Sequence, residues 1–144
     1  MIVVDANVLL YAVDEDSTRH REAKAWLEAV LSGNEVLGLT WIVILAFLRL
    51  TTKAGISPRP LAIETALDIL QKWLDHPGVS IVEPGSQHTH ILRTLLLKTG
   101  AGGNLTTDAH LAALTMEHGA ELCSFDHDFA RFPGLRWTEP LVGR

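Results

Sequence analysis

Four aspartates have the residue type and the sequence positions to bind a metal ion. Asp5 follows the β-branched run "IVV", Asp108 stands in "TTDAHLAAL", and Asp126 and Asp128 form the motif "FDHDF". Carboxylates without a histidine or cysteine companion are hard oxygen ligands, which suit Mg²⁺ or Mn²⁺ rather than Zn²⁺. The natural chemistry of such a set is phosphodiester hydrolysis, because a divalent cation activates water and stabilises charge on phosphate oxygens.

Each of these acids also has a purely structural explanation. Asp108 could complement a helix dipole, and Asp126 and Asp128 could shape an Asx turn at the end of a strand. Asp5 is harder to explain in this way, because a carboxylate that closes a buried apolar strand is costly unless it is paired or binds a cation. Asp5 is therefore the strongest single indication of function.

The segments between these acids predict alternating strands and helices. Strands are predicted for the short runs "IVVD", "EVLGLT", "VSIVE", "ELCSF" and "LRW". Helices are predicted for "ANVLLYAV", for the segment from an N-cap at Ser17 to Gly33, and for three later segments with apolar residues at helical spacing. "WIVILAFLRLTT" is apolar on every side, so periodicity does not separate a helix from a strand, and its length favours a helix.

This alternation predicts a three-layer α/β/α sandwich with a mostly parallel sheet of four to five strands. In such a sheet, ligands bind at the carboxyl ends of the strands, and the helix that leads into a strand begins at that same edge. If the first and fourth strands are neighbours, Asp5, Asp108, Asp126 and Asp128 share one pocket.

The composition is that of one globular domain, which we expect to span residues 1–144, with 47% apolar and 20% charged residues. Cys123 has no partner in the chain, and the start "MIVVDANVLL" lacks the basic segment of a secretory signal, so we expect a cytoplasmic protein. The net charge of -5 argues against holding nucleic acid by overall attraction. It does not exclude a nuclease whose metal ions supply positive charge.

Other interpretations of the same motifs fit less well. "FDHDF" looks like the nucleophile motif of haloacid-dehalogenase-like phosphotransferases, but that motif follows the first strand, where "VDAN" lacks the second acid. "GAGGN" lacks the Lys-Ser/Thr pair of a phosphate loop and predicts a helix stop joined to the next N-cap. Zinc spacing is absent from the histidines, most of which are predicted to be surface or satisfied polar residues: His88, His90, His110, His118 and His127.

The order of the motifs resembles the PIN-domain family, and more narrowly the VapC ribonuclease toxins of VapBC toxin–antitoxin pairs. The resemblance runs from "VVDANVLLYAVD" through "ILAFLRLTT" and "GNLTTDAHLAAL" to "FDHDFARFPGLRW". It implies a parallel sheet between helices and an endoribonuclease that uses Mg²⁺ or Mn²⁺. Carried over by position, Asp5, Asp108 and Asp126 are implied as catalytic metal ligands and Asp128 as an auxiliary acid.

The resemblance also implies residues and partners around that centre. Asn7, Thr107 and Ser124 look like groups that orient the carboxylates through hydrogen bonds. It implies transfer RNA or ribosomal RNA as substrate, products with 5′-phosphate and 3′-hydroxyl ends, a homodimer, and a VapB-type antitoxin whose C-terminal segment enters the acidic pocket. From their charge and position, Arg49, Lys53 and Arg59 are candidates for contacts with backbone phosphates.

One position departs from the family pattern. The family usually has a glutamate in the third helix, where this chain has Ala46, and no Asp or Glu occurs between Glu35 and Glu64. Catalysis would then use a single metal ion, or another acid such as Asp14 or Asp128 would replace the missing glutamate as a metal ligand. Ala46 also supports a rival hypothesis, a PIN domain that binds RNA or antitoxin without cutting. A third hypothesis is a phosphotransfer enzyme with an aspartyl nucleophile.

Overall fold

The computed structural model describes residues 1–100, 103 and 105–140. Its strands are β1 (Ile2–Val4), β2 (Leu37–Leu39), β3 (Val79–Ile81), β4 (Glu121–Cys123) and β5 (Trp137–Thr138). Its helices are α1 (Ala6–Val13), α2 (His20–Ser32), α3 (Trp41–Thr52), α4 (Ile63–Asp75), α5 (His88–Thr99) and α6 (Leu105–Glu117), and a short 3₁₀ helix covers His127–Arg131. No helix among the described residues is long and apolar enough to cross a membrane.

The five strands form one sheet in the order β3-β2-β1-β4-β5, and every pair is parallel. β1 lies at the centre, with Val4 opposite Cys123 of β4 and Ile2 opposite Leu37 of β2. The predicted mostly parallel α/β sheet is confirmed, and so is the condition that the first and fourth strands are neighbours. The strand order reverses between β1 and β4, which is the point where open parallel sheets bind ligands.

The core forms where the central strands meet the helices. Val3, Val4, Leu37, Leu39 and Leu122 are completely buried. Such β-branched and aliphatic runs fit strands that are covered on both faces. The edge strand β3 differs, because Ser80 and Ile81 are exposed. The rigid centre of the sheet therefore supports the ends of β1 and β4.

The ambiguous segment "WIVILAFLRLTT" is a helix, α3, as its length predicted. The buried hydroxyl of Thr40 accepts a hydrogen bond from the Val43 N–H at 3.4 Å and caps the helix. The Phe47 ring packs on Trp73 of α4 with centroids 5.1 Å apart, which explains why an almost wholly apolar helix is stable here. Thr40 directly follows β2, so α3 begins at the carboxyl edge of the sheet.

One predicted cap is wrong. Ser17 does not cap α2; its hydroxyl accepts the Arg19 N–H at 3.1 Å, and Arg19 occupies the cap position. The serine shapes the turn before the helix instead, a role that short hydroxyl side chains share with capping. Gly100 ends α5 in the left-handed conformation, as expected for a helix stop, whereas the expected cap at Asn104 lies outside the described residues.

Candidate active site

The end of β1 presents Asp5, which has hydrogen bonds on both carboxylate oxygens. One oxygen caps α1 by accepting the Ala6 N–H at 2.7 Å, and the other accepts the Ser124 hydroxyl at 2.7 Å. Burial raises the pKa of Asp5 above its ordinary value, while these two hydrogen bonds oppose the increase. The carboxylate is therefore held in one orientation at the centre of the sheet edge.

Ser124 connects β1 with the turn that follows β4. It is completely buried, and besides donating to Asp5 it accepts the Asn7 amide at 3.3 Å and the Asp126 N–H at 3.0 Å. The side-chain amide oxygen of Asn7 accepts the backbone N–H of Phe125 at 3.3 Å. Two residues that were predicted to orient carboxylates, Asn7 and Ser124, thus lie in one network between Asp5 and Asp126.

The motif "FDHDF" serves as a turn and also contributes acids. Asp126 caps the 3₁₀ helix by accepting the Asp128 N–H at 2.9 Å, which is the local turn geometry expected for Asp. The carboxylate of Asp128 is exposed and accepts a hydrogen bond from Arg131 at 3.2 Å. The structural and the functional explanations of this motif are therefore compatible.

Asp108 approaches from α6, in the first turn of the helix. Its pKa is raised to about 6, first because burial disfavours the charged form and then because Asp126, Asp5 and Asp128 repel it. Arg131 acts in the opposite direction. A helix N-terminus stabilises negative charge, so the increase means that desolvation and repulsion outweigh the dipole.

Three of the carboxylates converge closely enough to bind one ion. Oxygen atoms of Asp108, Asp126 and Asp128 all lie within 4.8 Å of one another. Asp5 stands beside this group, close enough for its charge to act on Asp108. Like charges at this range repel unless a cation lies between them, and an all-oxygen donor set fits Mg²⁺ or Mn²⁺. The residues present therefore fit a divalent cation.

The remaining predicted residues lie outside this cluster. Thr107 is exposed on the first turn of α6, and Arg49 and Lys53 are exposed at the end of α3. Arg59 forms an ion pair with Asp16 at 3.2 Å. Asp14 accepts the Asp16 N–H at 3.0 Å and shapes a loop, so of the two suggested stand-in acids only Asp128 joins the cluster.

Two arginines that contact the segment 125–128 were not predicted from the sequence. Arg131 follows Asp128 by three residues, a spacing on a helical turn that could have revealed the pair. Arg19 lies over the ring of Phe125, with the guanidinium carbon 4.6 Å from the ring centroid. No sequence signal marks this contact, because its two residues are far apart in the chain.

His88 is an exception to the prediction that most of the histidines are surface or satisfied polar residues. Its side chain is buried, its Nε2 lies 2.9 Å from Nδ1 of His110, and its own Nδ1 has no hydrogen-bond partner. Burial, followed by the charge of His88, lowers the pKa of His110. His127 matches the prediction, because it is largely exposed and pairs with Glu139.

The chain is thus an all-parallel α/β domain with clustered acids at the switch point of its sheet, and comparisons with known proteins identify its family. The PIN domain profile matches residues 2–135. Ribonuclease VapC37 of Mycobacterium tuberculosis is 48% identical over 140 residues, which cover 97% of each chain. Ribonuclease VapC33 of the same species is 42% identical over 141 residues, covering 98% of this chain and 99% of the relative.

Solved structures agree on the fold. A VapBC2 complex from Rickettsia felis, bound to a DNA fragment from its promoter, superposes with a TM-score of 0.72 at 19% identity and covers 96% of this chain and 98% of the other. Mycobacterium tuberculosis VapC20, described as a Sarcin-Ricin loop cleaving toxin, gives a TM-score of 0.68 at 18% identity over 94% of this chain and 99% of the other. The chain therefore belongs to the PIN-domain family, within its VapC branch.

Proposed function

We propose that this protein is a metal-dependent endoribonuclease and the toxin of a type II toxin–antitoxin module. The observation that carries the proposal is the convergence of Asp108, Asp126 and Asp128 within 4.8 Å, beside Asp5, at the switch point of the sheet. The identity to VapC ribonucleases over nearly the whole chain supports the same chemistry. The proposed substrate is transfer RNA or ribosomal RNA, whose cleavage would stop translation and growth.

The chain's own residues have distinct tasks in this reaction. Asp108, Asp126 and Asp128 would hold Mg²⁺ or Mn²⁺, with Asp5 as the fixed acid beside them. Bound there, the cation would activate water for attack on a phosphodiester and stabilise the charge that develops on its oxygens. Ser124 and Asn7 keep Asp5 and Asp126 in position, so little reorganisation is needed when substrate binds.

The direct test is cleavage of total cellular RNA by the purified protein with Mg²⁺ or Mn²⁺, separated from any antitoxin. EDTA and the variant Asp5→Ala serve as negative controls, and Asp68→Ala, on the exposed side of α4, serves as a matched control for loss of one carboxylate. Discrete fragments with 5′-phosphate ends, absent in EDTA and in Asp5→Ala, support the proposal. Intact RNA in every lane at high protein concentration would reject it.

A second candidate function is a PIN domain that binds RNA or antitoxin without cutting, and Ala46 is the observation that favours it. Helix α3 contains no acid, and the clustered carboxylates come from α6 and from the turn after β4. The same experiment separates the two candidates, because a non-cutting domain shifts RNA in a gel but leaves it intact. Trapping of a phosphoaspartate would instead indicate the phosphotransfer hypothesis.

The proposed partner is a VapB-type antitoxin. A groove of about 380 Å³ lies between the end of α1 and the loop after α3, lined by apolar residues such as Leu10, Leu50 and Ile56 and by the acidic loop 14–16. This lining fits a peptide with apolar and basic side chains. We expect Ile56→Asp to weaken binding of the cognate antitoxin, whereas Leu97→Asp, at a more exposed apolar site on α5, should not. Equal binding by both variants would exclude the groove.

The proposal extends to a cytoplasmic homodimer of a nuclease unit that spans residues 1–144. Trp41 and Leu45 lie one turn apart on α3 and are 48% and 60% exposed, which makes them the apolar pair that a second copy would cover. Sedimentation of the wild type and of Leu45→Lys tests this part. A dimer that persists in the variant would place the interface elsewhere.

A further inference from the structure

We propose that Arg19 binds a backbone phosphate of the RNA that enters the acidic site. The proposal rests on the proposed ribonuclease function and adds a substrate-binding residue to it. The carrying observation is the position of the Arg19 guanidinium over Phe125, 4.6 Å from the ring centroid. Phe125 lies between Ser124 and Asp126 in the chain, so the ring that supports Arg19 belongs to the turn that carries two of the acids.

The structure holds this arginine in place at both ends. Its backbone N–H donates to the Ser17 hydroxyl at 3.1 Å, and its backbone carbonyl accepts the Ala23 N–H of α2 at 3.0 Å. The Phe125 ring that supports the guanidinium is only 8% exposed and packs on Tyr11, with centroids 5.5 Å apart. An arginine that stacks on an aromatic face keeps its N–H donors free for a second ligand. Arg19 is thus oriented before any ligand arrives.

The negative charge of the protein explains why an unpaired cation would help RNA to bind. Four carboxylates would repel the phosphates on either side of the cut, and the whole chain carries a net charge of -5. Two other arginines near the site or the groove are already paired, Arg131 with Asp128 and Arg59 with Asp16, each at 3.2 Å. Within the described part of the chain, Arg19 forms no ion pair, so its charge is available. A planar guanidinium suits a phosphate, which it can bind through two hydrogen bonds.

The experiment measures binding of a fluorescein-labelled single-stranded RNA of mixed sequence, about 20 nucleotides long, in EDTA at several NaCl concentrations. EDTA prevents cleavage, so only binding is observed. For Arg19→Gln we expect affinity about two- to fivefold lower, the range for one exposed ionic contact. We also expect the slope of log affinity against log salt to fall by about 0.7, the value for one lost phosphate contact on a single strand. Arg19→Lys should keep most of the slope.

The matched control is Arg21→Gln, which removes an exposed positive charge two residues away that stacks on no aromatic ring among the described residues. It should leave both affinity and slope close to those of the wild type. A purely structural role for Arg19, as an anchor of α2 on Phe125, would lower the melting temperature of Arg19→Gln without changing the salt slope. That result overturns the proposal, and so does an equal effect of Arg21→Gln.

The outcomes separate this inference from the proposed function. If the wild type cuts RNA but Arg19→Gln keeps the wild-type slope, only the inference fails. If the variant binds RNA normally but loses its antitoxin, the cation serves the protein partner and the inference is again wrong. If the wild type neither binds nor cuts RNA, both fail together.

Discussion

The two ends of helix α6 carry acids in opposite situations. Asp108 stands near the helix N-terminus, where the dipole favours a carboxylate, yet its pKa is raised to about 6 by burial and by neighbouring acids. Glu117 stands at the C-terminus, where the dipole disfavours it, yet its pKa is lowered. The first cause is a hydrogen bond from the Gly85 N–H at 2.7 Å, and another comes from the Gln87 N–H at 2.9 Å.

At both ends the direction of the pKa shift follows burial and the neighbouring groups rather than the position of the acid along the helix. Glu117 joins α6 to the loop before α5 and has its hydrogen bonds satisfied by the protein. Asp108 meets other carboxylates, and Arg131 offsets their repulsion only in part, so its pKa stays raised. We expect this contrast to separate a structural acid, Glu117, from a proposed metal ligand, Asp108.

Removal of each acid should affect cleavage very differently, and this is the largest expected effect. Asp108→Asn should lower the rate by about 100-fold or more, the range for loss of one essential electrostatic group in an active site. Glu117→Gln should retain nearly the wild-type rate. Initial rates on the same RNA under Mn²⁺ provide the measurement. Similar losses in the two variants would mean that the contrast has no functional meaning.

Metal should stabilise the wild type through the Asp108 end of the helix. At 100 times the dissociation constant, a ligand of the folded state adds about 2.7 kcal/mol, or roughly 5 to 10 °C in melting temperature. Thermal melting with and without Mn²⁺ at pH 7.5 measures this shift. Glu117→Gln should respond as the wild type does, while Asp126→Asn should not respond. An unchanged wild-type melting temperature at high Mn²⁺ would argue against a metal site.

Without metal, the two variants should shift stability in opposite directions. Asp108→Asn should raise the melting temperature at pH 7.5 by about 2 to 4 °C, because it removes a repelled charge whose effect solvent partly screens. Glu117→Gln should lower the melting temperature, because it weakens two hydrogen bonds to the loop. Calorimetry in EDTA is the measurement. A destabilised Asp108→Asn would show that the carboxylate has a structural partner after all.

The stability differences between the wild type and these two variants should also change with pH. The raised pKa of Asp108 means that its ionisation costs stability, and this cost grows as pH rises from 3.8 to about 6. The lowered pKa of Glu117 means that its contribution is present above 4.5 and is lost as pH falls below that value. The advantage of Asp108→Asn should therefore vanish near pH 4, as should the deficit of Glu117→Gln at still lower pH. Melting curves across this range test both signs.

The smallest effect is expected from Ala46→Glu, which restores a carboxylate on the α3 side. If that position faces the acidic cluster, the variant should bind Mn²⁺ more tightly, because an additional oxygen ligand joins the site. Isothermal calorimetry measures the affinity, with Leu45→Glu on the exposed side of the same helix as the control. Unchanged affinity would show that this position has taken another role.

Much of the fold was predictable because its signals are local. β-branched runs and helical spacing of apolar residues revealed nearly every described element, including α3, for which length decided. The acids of the site were also recognisable, since each closes a strand or opens a helix. The errors at Ser17 and His88 share one cause: a hydroxyl or an imidazole has several possible partners, and only the packed neighbours select one.

The sequence by itself determined the kind of protein: an alternating α/β chain, an acid after the first strand, two more after the fourth, and no acid in the third helix. Only the tertiary structure decided how those acids differ. In that structure Asp5 accepts two hydrogen bonds and Asp108 lies near three other carboxylates. The guanidinium of Arg19 stacks on the ring of Phe125. The physical reason is that residue types follow local patterns, whereas pKa values and charge pairs depend on distances between residues far apart in the chain.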